Sequence, residues 1–269
     1  MSKEQRKNTR AELKSYVQKH KAVTIVYLVL RLAVIVIMIP EVFNRNYNNV
    51  FLCVLTLVLF MIPSFVEKKI KIEVPDLLEI IILLFIFAAE ILGELREYYL
   101  TFPYWDTMLH TINGFLCAAI GFALIDILNG NDKVSFNVSP LFAAVCAFCF
   151  SMTIGVLWEF FEYFMDIVFH SDMQKDDIIN TVSSVLFHPE GRNISQTITV
   201  DSMTLNGMTF DGYIDIGLRD TMEDMFVNFL GAVIFSVLGY VYFRKRGTSR
   251  IVEGLIPRVK KDSDDKENK

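Results

Sequence analysis

Cysteine, histidine and tryptophan are scarce in this chain: four, four and two in 269 residues. All four cysteines, Cys53, Cys117, Cys146 and Cys149, lie inside apolar runs. A disulfide framework would place them in aqueous loops, so none is expected. Cys146 and Cys149 form a C-x-x-C without the βαβ pattern of a redox motif, and they are read as small core residues. The sequence also lacks H-E-x-x-H, and no two-metal signature reads cleanly. No A-x-A-type site accompanies the first apolar run, which is full length, so a cleavable signal peptide is not expected.

What is present is apolar sequence in blocks. Hydrophobic residues make up 53% of the chain, and they are gathered into runs of about 17–25, the length that crosses some 30 Å of hydrocarbon. Six segments are expected to span a membrane: 22–40, 49–66, 75–94, 106–128, 140–167 and 220–243. The expected fold is therefore an all-α polytopic membrane bundle. A basic arm (1–21) precedes a membrane domain (22–243). Residues 168–219 form a loop inserted in that domain, and a charged tail (244–269) is expected to be disordered. Pro40, Pro63, Pro75, Pro103 and Pro140 fall near segment ends, where helices tolerate them. The sequence 194–210, with β-branched residues and Asn206-Gly207, predicts a short hairpin in the loop.

The net charge of −5 says little, because the charges are segregated. With the N-terminus inside, 20 of the 26 Lys and Arg flank the spans on the inner side and five on the outer. That asymmetry predicts a multi-pass protein of the cell membrane with both termini cytoplasmic. Membrane lipids are the partners it implies. Nothing points to nucleic acid, and no protein partner is specified.

Ionisable residues inside spans cost roughly 2.5–3.5 kcal/mol each at a helix centre, so their placement is informative. Glu90, Glu94 and Glu97 end span 3. Asp106, His110 and Asn113 begin span 4. Glu159, Glu162 and Asp166 end span 5. Asp220, Glu223, Asp224 and Asn228 begin span 6. The spacings place each group largely on one helical face, and all four groups fall at the outer side. Four acidic faces at one depth are expected to point at each other rather than at lipid. Arg31, in mid-span, is expected to pair with Glu79 or Glu90. The tyrosines Tyr98, Tyr99, Tyr104 and Tyr163, with Trp105 and Trp158, read as an interfacial aromatic belt.

Two echoes link the hairpins. Glu94-Leu-Arg-Glu97-Tyr98 is echoed by Glu159-Phe-Phe-Glu162-Tyr163, and Asp106-Thr107-Met108 by Asp220-Thr221-Met222. Their order predicts a duplicated hairpin, spans 3–4 and 5–6, about an axis along the membrane normal.

The acids outnumber the nearby cations, and the excess must be met by protons, a bound cation or solvent. Carboxylates with imidazole suit Mg²⁺, Mn²⁺ or Zn²⁺. The candidate ligands are Glu94, Asp106, His110, Glu159, Glu162, Asp220 and Asp224. The candidate catalytic residues are His110, Asp224 and Glu159.

Several of these pieces resemble the YjdF-like group of bacterial inner-membrane proteins. They are Gly93-Glu94, Pro103-Tyr104-Trp105-Asp106 with His110 and Gly114, Trp158-Glu159 with Glu162, Met173-Gln174, and Asp220-Thr221-Met222 with Asp224, Asn228 and Gly231-Ala232. A more distant similarity is to VanZ-like membrane proteins, through Asp-x-x-x-His and Asp-x-x-x-Asn-x-x-Gly. The resemblance implies the membrane architecture and these polar residues, but no reaction. Three functions stay open: a metal-dependent enzyme acting on a lipid or lipid-linked substrate, a transporter of a cation or small solute, and a non-catalytic assembly factor using the loop.

Overall fold

The computed structural model of the chain describes residues 17–70, 72–129, 138–244, 254–256 and 258–259; of residues 68, 70, 72, 126–129, 258 and 259 it describes the backbone alone. Most of the basic arm, most of the tail and the Asp126 side chain lie outside that description. The chain is a mostly helical, polytopic bundle. Helix α1 is Lys21–Phe43, α2 Tyr47–Leu59, α3 Ile62–Ile70 and α4 Asp76–Ile86. After these come the one-turn α5 (Tyr98–Thr101), then α6 (Trp105–Asn129), α7 (Pro140–Phe169) and α8 (Leu218–Arg244).

Among the described residues, five helices are long and apolar enough to cross a membrane, with α2 and α3 together forming one of them, Tyr47–Glu67. The third expected span differs. It is helical throughout, but α4 passes into a π-helix, Phe87–Leu95. Arg96 N–H reaches Ile91 O at 3.0 Å, the i→i+5 bond of a π-turn. This widened stretch carries Glu90, Gly93 and Glu94.

The helices gather around two cores. Leu30 and Val34 of α1, Cys53 and Phe60 from the second span, and Leu83, Ile91 and Leu95 make one. The other lies among α6, α7 and α8, and includes Leu116, Ala118, Ala119, Phe122, Ala143, Ala147, Ala232 and Phe235. Small residues let these three helices close tightly, the packing mode expected where lipid leaves helices little hydrophobic incentive to associate. A Cβ on Gly114 would lie 2.1 Å from Asn228 O, and one on Gly231 would lie 2.1 Å from Thr111 O. Gly114 is three residues past Thr111, and Gly231 three past Asn228. The crossing of α6 and α8 is therefore reciprocal, and it pairs Gly114 with Gly231. The sequence echo instead aligns Gly114 with Asn228, three positions away. The hairpins also pack differently: the π-segment belongs to the first core, whereas α7 packs against both α6 and α8.

The tail is not wholly free. Arg258–Val259 (β8) pairs antiparallel with Ile72–Glu73 (β1). Leu255 and Ile256 are buried in the second core with Val74 and Leu78. Two apolar residues in a charged tail have a core to enter, which the tail's overall composition hid. His20 and Lys19, against Asp76 and Glu73, belong to this same end of the bundle.

The segment between α7 and α8 is largely β-structure, where the composition gave only one hairpin. The base is Asp177–Ile179 (β2) paired with Tyr213–Asp215 (β7). Within it, Thr181–Ser184 (β3) pairs with Gln196–Thr199 (β4). Met203–Leu205 (β5) pairs with Met208–Phe210 (β6). The expected turn sits at Asn206 (φ 48°) and Gly207 (φ 83°), two left-handed residues as a tight hairpin requires.

Candidate functional site

The polar residues of α6, α7 and α8 meet at the end of the bundle opposite the tail. His110 is at the centre, 7% exposed. From the preceding turn of its own helix, Asp106 Oδ1 lies 3.4 Å from Nε2. Asp224 of α8 places Oδ2 3.7 Å from the same nitrogen. Glu159 of α7 places Oε1 3.7 Å from Nδ1. Among the described residues, two sets of side chains could hold a metal ion, with the ligand atoms of each set within 4.8 Å of one another: Asp106, His110 and Asp224, and His110, Glu159 and Glu162.

The sets are not equivalent. Trp158 Nε1–H donates to Glu162 Oε1 at 2.8 Å, so that carboxylate is already engaged. On the Nε2 side the Asp106 and Asp224 carboxyl groups each bring an oxygen within 4.8 Å of the other. Asp224 Oδ2 is buried and has no hydrogen-bond partner, as is Glu159 Oε2. An orphaned buried carboxylate oxygen is costly unless a proton or cation meets it. A mixed imidazole–carboxylate donor set fits a divalent ion of the Mn²⁺ or Zn²⁺ kind. A ligating histidine ordinarily gives its other ring N–H to a carboxylate. Here Glu159 is placed to accept from Nδ1, while Nε2 faces Asp106 and Asp224.

Beneath the cluster is a floor of satisfied polar groups. Ser151 Oγ donates to Gly114 O at 2.7 Å. Asn113 Nδ2 donates to Asn228 Oδ1 at 3.4 Å, and Asn228 Nδ2 to Met152 Sδ at 3.7 Å. Below that, Phe115 and Phe122 each set an edge against Phe235, with ring centroids 5.0 and 6.2 Å apart. The core there is apolar.

Above the cluster runs a strap, residues 171–175. Asp166 holds it by accepting from Met173 N (2.7 Å), Gln174 N (2.9 Å) and Ser171 Oγ (2.8 Å). Asp220 holds it from α8, accepting from Lys175 N at 2.8 Å. Gln174 Nε2 donates to Thr221 Oγ1 at 2.5 Å. Gly217 (φ +82°) fits beneath, where a Cβ would lie 2.6 Å from Gln174 Cβ.

Of the expected ligands, Asp106, His110, Glu159, Glu162 and Asp224 come together. Asp220 is used on the strap. Asp106 and Asp220 both lie inside the first turn of their helices. Glu94 sits exposed on the π-segment, outside both sets. Arg31 pairs with neither Glu79 nor Glu90; its guanidinium stacks on Tyr27, 4.5 Å from the ring centroid. That partner lies one turn away on the same helix, and Arg31 Nε is buried without a hydrogen-bond partner. Tyr99 does not sit in the aromatic belt. It turns inward onto Gly93, where a Cβ would lie 2.4 Å from its ring. Gln174, Thr221 and Tyr99 thus stand in places that the sequence reading named but did not assign to them. The Met173-Gln174 pair was the one signal available for the strap.

This is a polytopic helical membrane protein whose buried carboxylates converge on one histidine at one end of a tight three-helix unit. The chain belongs to the predicted membrane protein family DUF2238, whose model matches residues 24–245. That match bears out the YjdF-like resemblance; the VanZ-like one is not shown. No curated protein and no solved structure matches the chain.

Proposed function

We propose that the protein is a divalent-cation-dependent membrane enzyme working at the outer face on a lipid or lipid-linked substrate. The observation that carries this is His110 between the carboxylates of three helices, with two buried carboxylate oxygens lacking partners. Asp106, His110 Nε2 and Asp224 would hold the cation. When bound, such a cation supplies Lewis-acid polarisation of a substrate oxygen. Glu159 keeps the imidazole oriented, and Glu162 is fixed by Trp158. The apolar core below the polar floor supports chemistry at one face over passage through the bundle. Phe160, Phe161, Tyr163 and Phe164 are exposed around the site end of α7, which favours a substrate arriving from the bilayer. The outward direction rests on the Lys and Arg asymmetry of the loops.

Elemental analysis of the purified protein tests the reading, after incubation with Mg²⁺, Mn²⁺ and Zn²⁺ and desalting. About one ion per wild-type chain is expected, with loss in His110→Ala and Asp224→Ala. No retained ion in the wild type overturns it. Mass spectrometry of lipids incubated with the reconstituted protein should then show cation-dependent turnover that both variants lack.

A further inference from the structure

We propose that the strap, residues 171–175, covers the α7–α8 side of the cation site, and that the cation and the substrate oxygen reach His110 from the α6 side, past Asp106. This rests on the cation site described above.

The anchors of the strap and the carboxylates of the cluster share helical faces. On α7, Asp166 stands four residues beyond Glu162 and seven beyond Glu159. On α8, Asp220 stands four residues before Asp224. Those spacings put each anchor on the face that carries the cluster, about one turn or 6 Å further along the axis. Helix α7 runs toward this end of the bundle and α8 runs away from it, so both anchors lie on the same side of the cluster. Asp166 accepts from Met173 N and Gln174 N, and Asp220 accepts from Lys175 N. Gln174 Nε2 adds a bond to Thr221 Oγ1, again on α8. Bonds from N–H groups to carboxylates are charge-assisted, so the strap is held more firmly than an ordinary loop. It bridges α7 and α8; among the described residues it makes no hydrogen bond to α6.

Exposure within the cluster follows that division. The side chains of Glu159 and Asp224, on the two bridged helices, are each 5% exposed. Asp106, on the helix that the strap does not bridge, is 29% exposed. The opening is therefore at Asp106, in the first turn of α6. The chain just before it carries Tyr98, Phe102 and Trp105, with Tyr98 edge-on to Trp105 at 4.9 Å. Leu100 and Tyr104 of the same corner are exposed. Aromatic residues of this kind mark the headgroup level of a bilayer. A lipid headgroup at this corner meets the one ligand of the set that solvent already touches.

The test compares cysteines on the two sides of the site, modified by a charged, water-soluble methanethiosulfonate in the reconstituted protein. The wild type, whose four cysteines lie within the membrane helices, gives the background rate. Asp106→Cys should react at least about tenfold faster than Asp224→Cys, whose modification waits on local opening. Glu159→Cys reads the covered side if Asp224→Cys fails to fold. Asp166→Asn, added to each cysteine variant, should speed the covered cysteine about tenfold and leave Asp106→Cys unchanged. Gln174→Leu takes its place if Asp166→Asn fails to fold. Equal rates for Asp106→Cys and the covered cysteine with the strap intact overturn the proposal, as does a strap variant that speeds both alike. The expected thiol rates, beside a wild type that retains no Mn²⁺, support the cover and overturn the cation reading.

Discussion

Asp224 Oδ2 lies 3.7 Å from His110 Nε2, across the interface of α6 and α8, and has no hydrogen-bond partner. Asp224→Asn should keep the shape and remove the charge. The expected result is at least about a tenfold loss of cation affinity, with the helical signal by circular dichroism unchanged. Glu162→Gln is the comparison: that carboxylate is engaged by Trp158, and its loss should weaken cation binding less than Asp224→Asn does in the same titration.

The α6–α8 crossing leaves no room for side chains at its two glycines. Gly114→Ala and Gly231→Ala each force a methyl to within 2.1 Å of a backbone carbonyl oxygen. Overpacking of this kind costs typically 1–3 kcal/mol. Both variants should melt earlier in detergent, and the double variant should be worse than either.

The strap depends on Gly217. Its φ of +82° disfavours any side chain by roughly 1–2 kcal/mol, and a Cβ there would strike Gln174. Gly217→Ala should loosen residues 171–175 and leave α7 and α8 in place. Trypsin cleavage after Lys175 is the measurement, and it should quicken relative to the wild type.

Leu255 is 4% exposed, inside the core that α6 and α8 share. Leu255→Ala should cost about 2–5 kcal/mol if the pocket stays open. Truncation before residue 254 should lower the melting temperature similarly. Truncation after residue 259 should leave it unchanged.

The membrane helices were legible because hydrocarbon demands some 20 apolar residues in a row, and no other fold writes that pattern. His110, Asp106, Glu159 and Asp224 were legible for the converse reason, since a polar group in such a run needs a partner. The π-turn was not, because Phe87–Leu95 has the composition of any span and its extra residue per turn leaves no mark. Nor was the strap, whose Gln174 and Lys175 look like ordinary loop residues until Asp166 and Asp220 are seen to hold them. The expected repeat does not describe the packing. Its Asp106–Asp220 alignment sets Gly114 against Asn228, while the packing of α6 on α8 pairs Gly114 with Gly231, three residues away. The strands β2 and β7 are too short and too far apart in sequence to announce their pairing.

The nesting of the strand pairs has a practical side. Ile178 lies opposite Ile214, and Ile179 opposite Tyr213, so the chain leaves and re-enters this ladder at adjacent points. Everything from residue 180 to 212 is a detachable module hung on that ladder, with the strap on the near side of it. A two-residue turn could replace the module, and a fluorescent reporter could be spliced in at Asn206-Gly207. Either graft would leave His110 undisturbed, and the reporter would reveal on which side of the membrane the cluster lies.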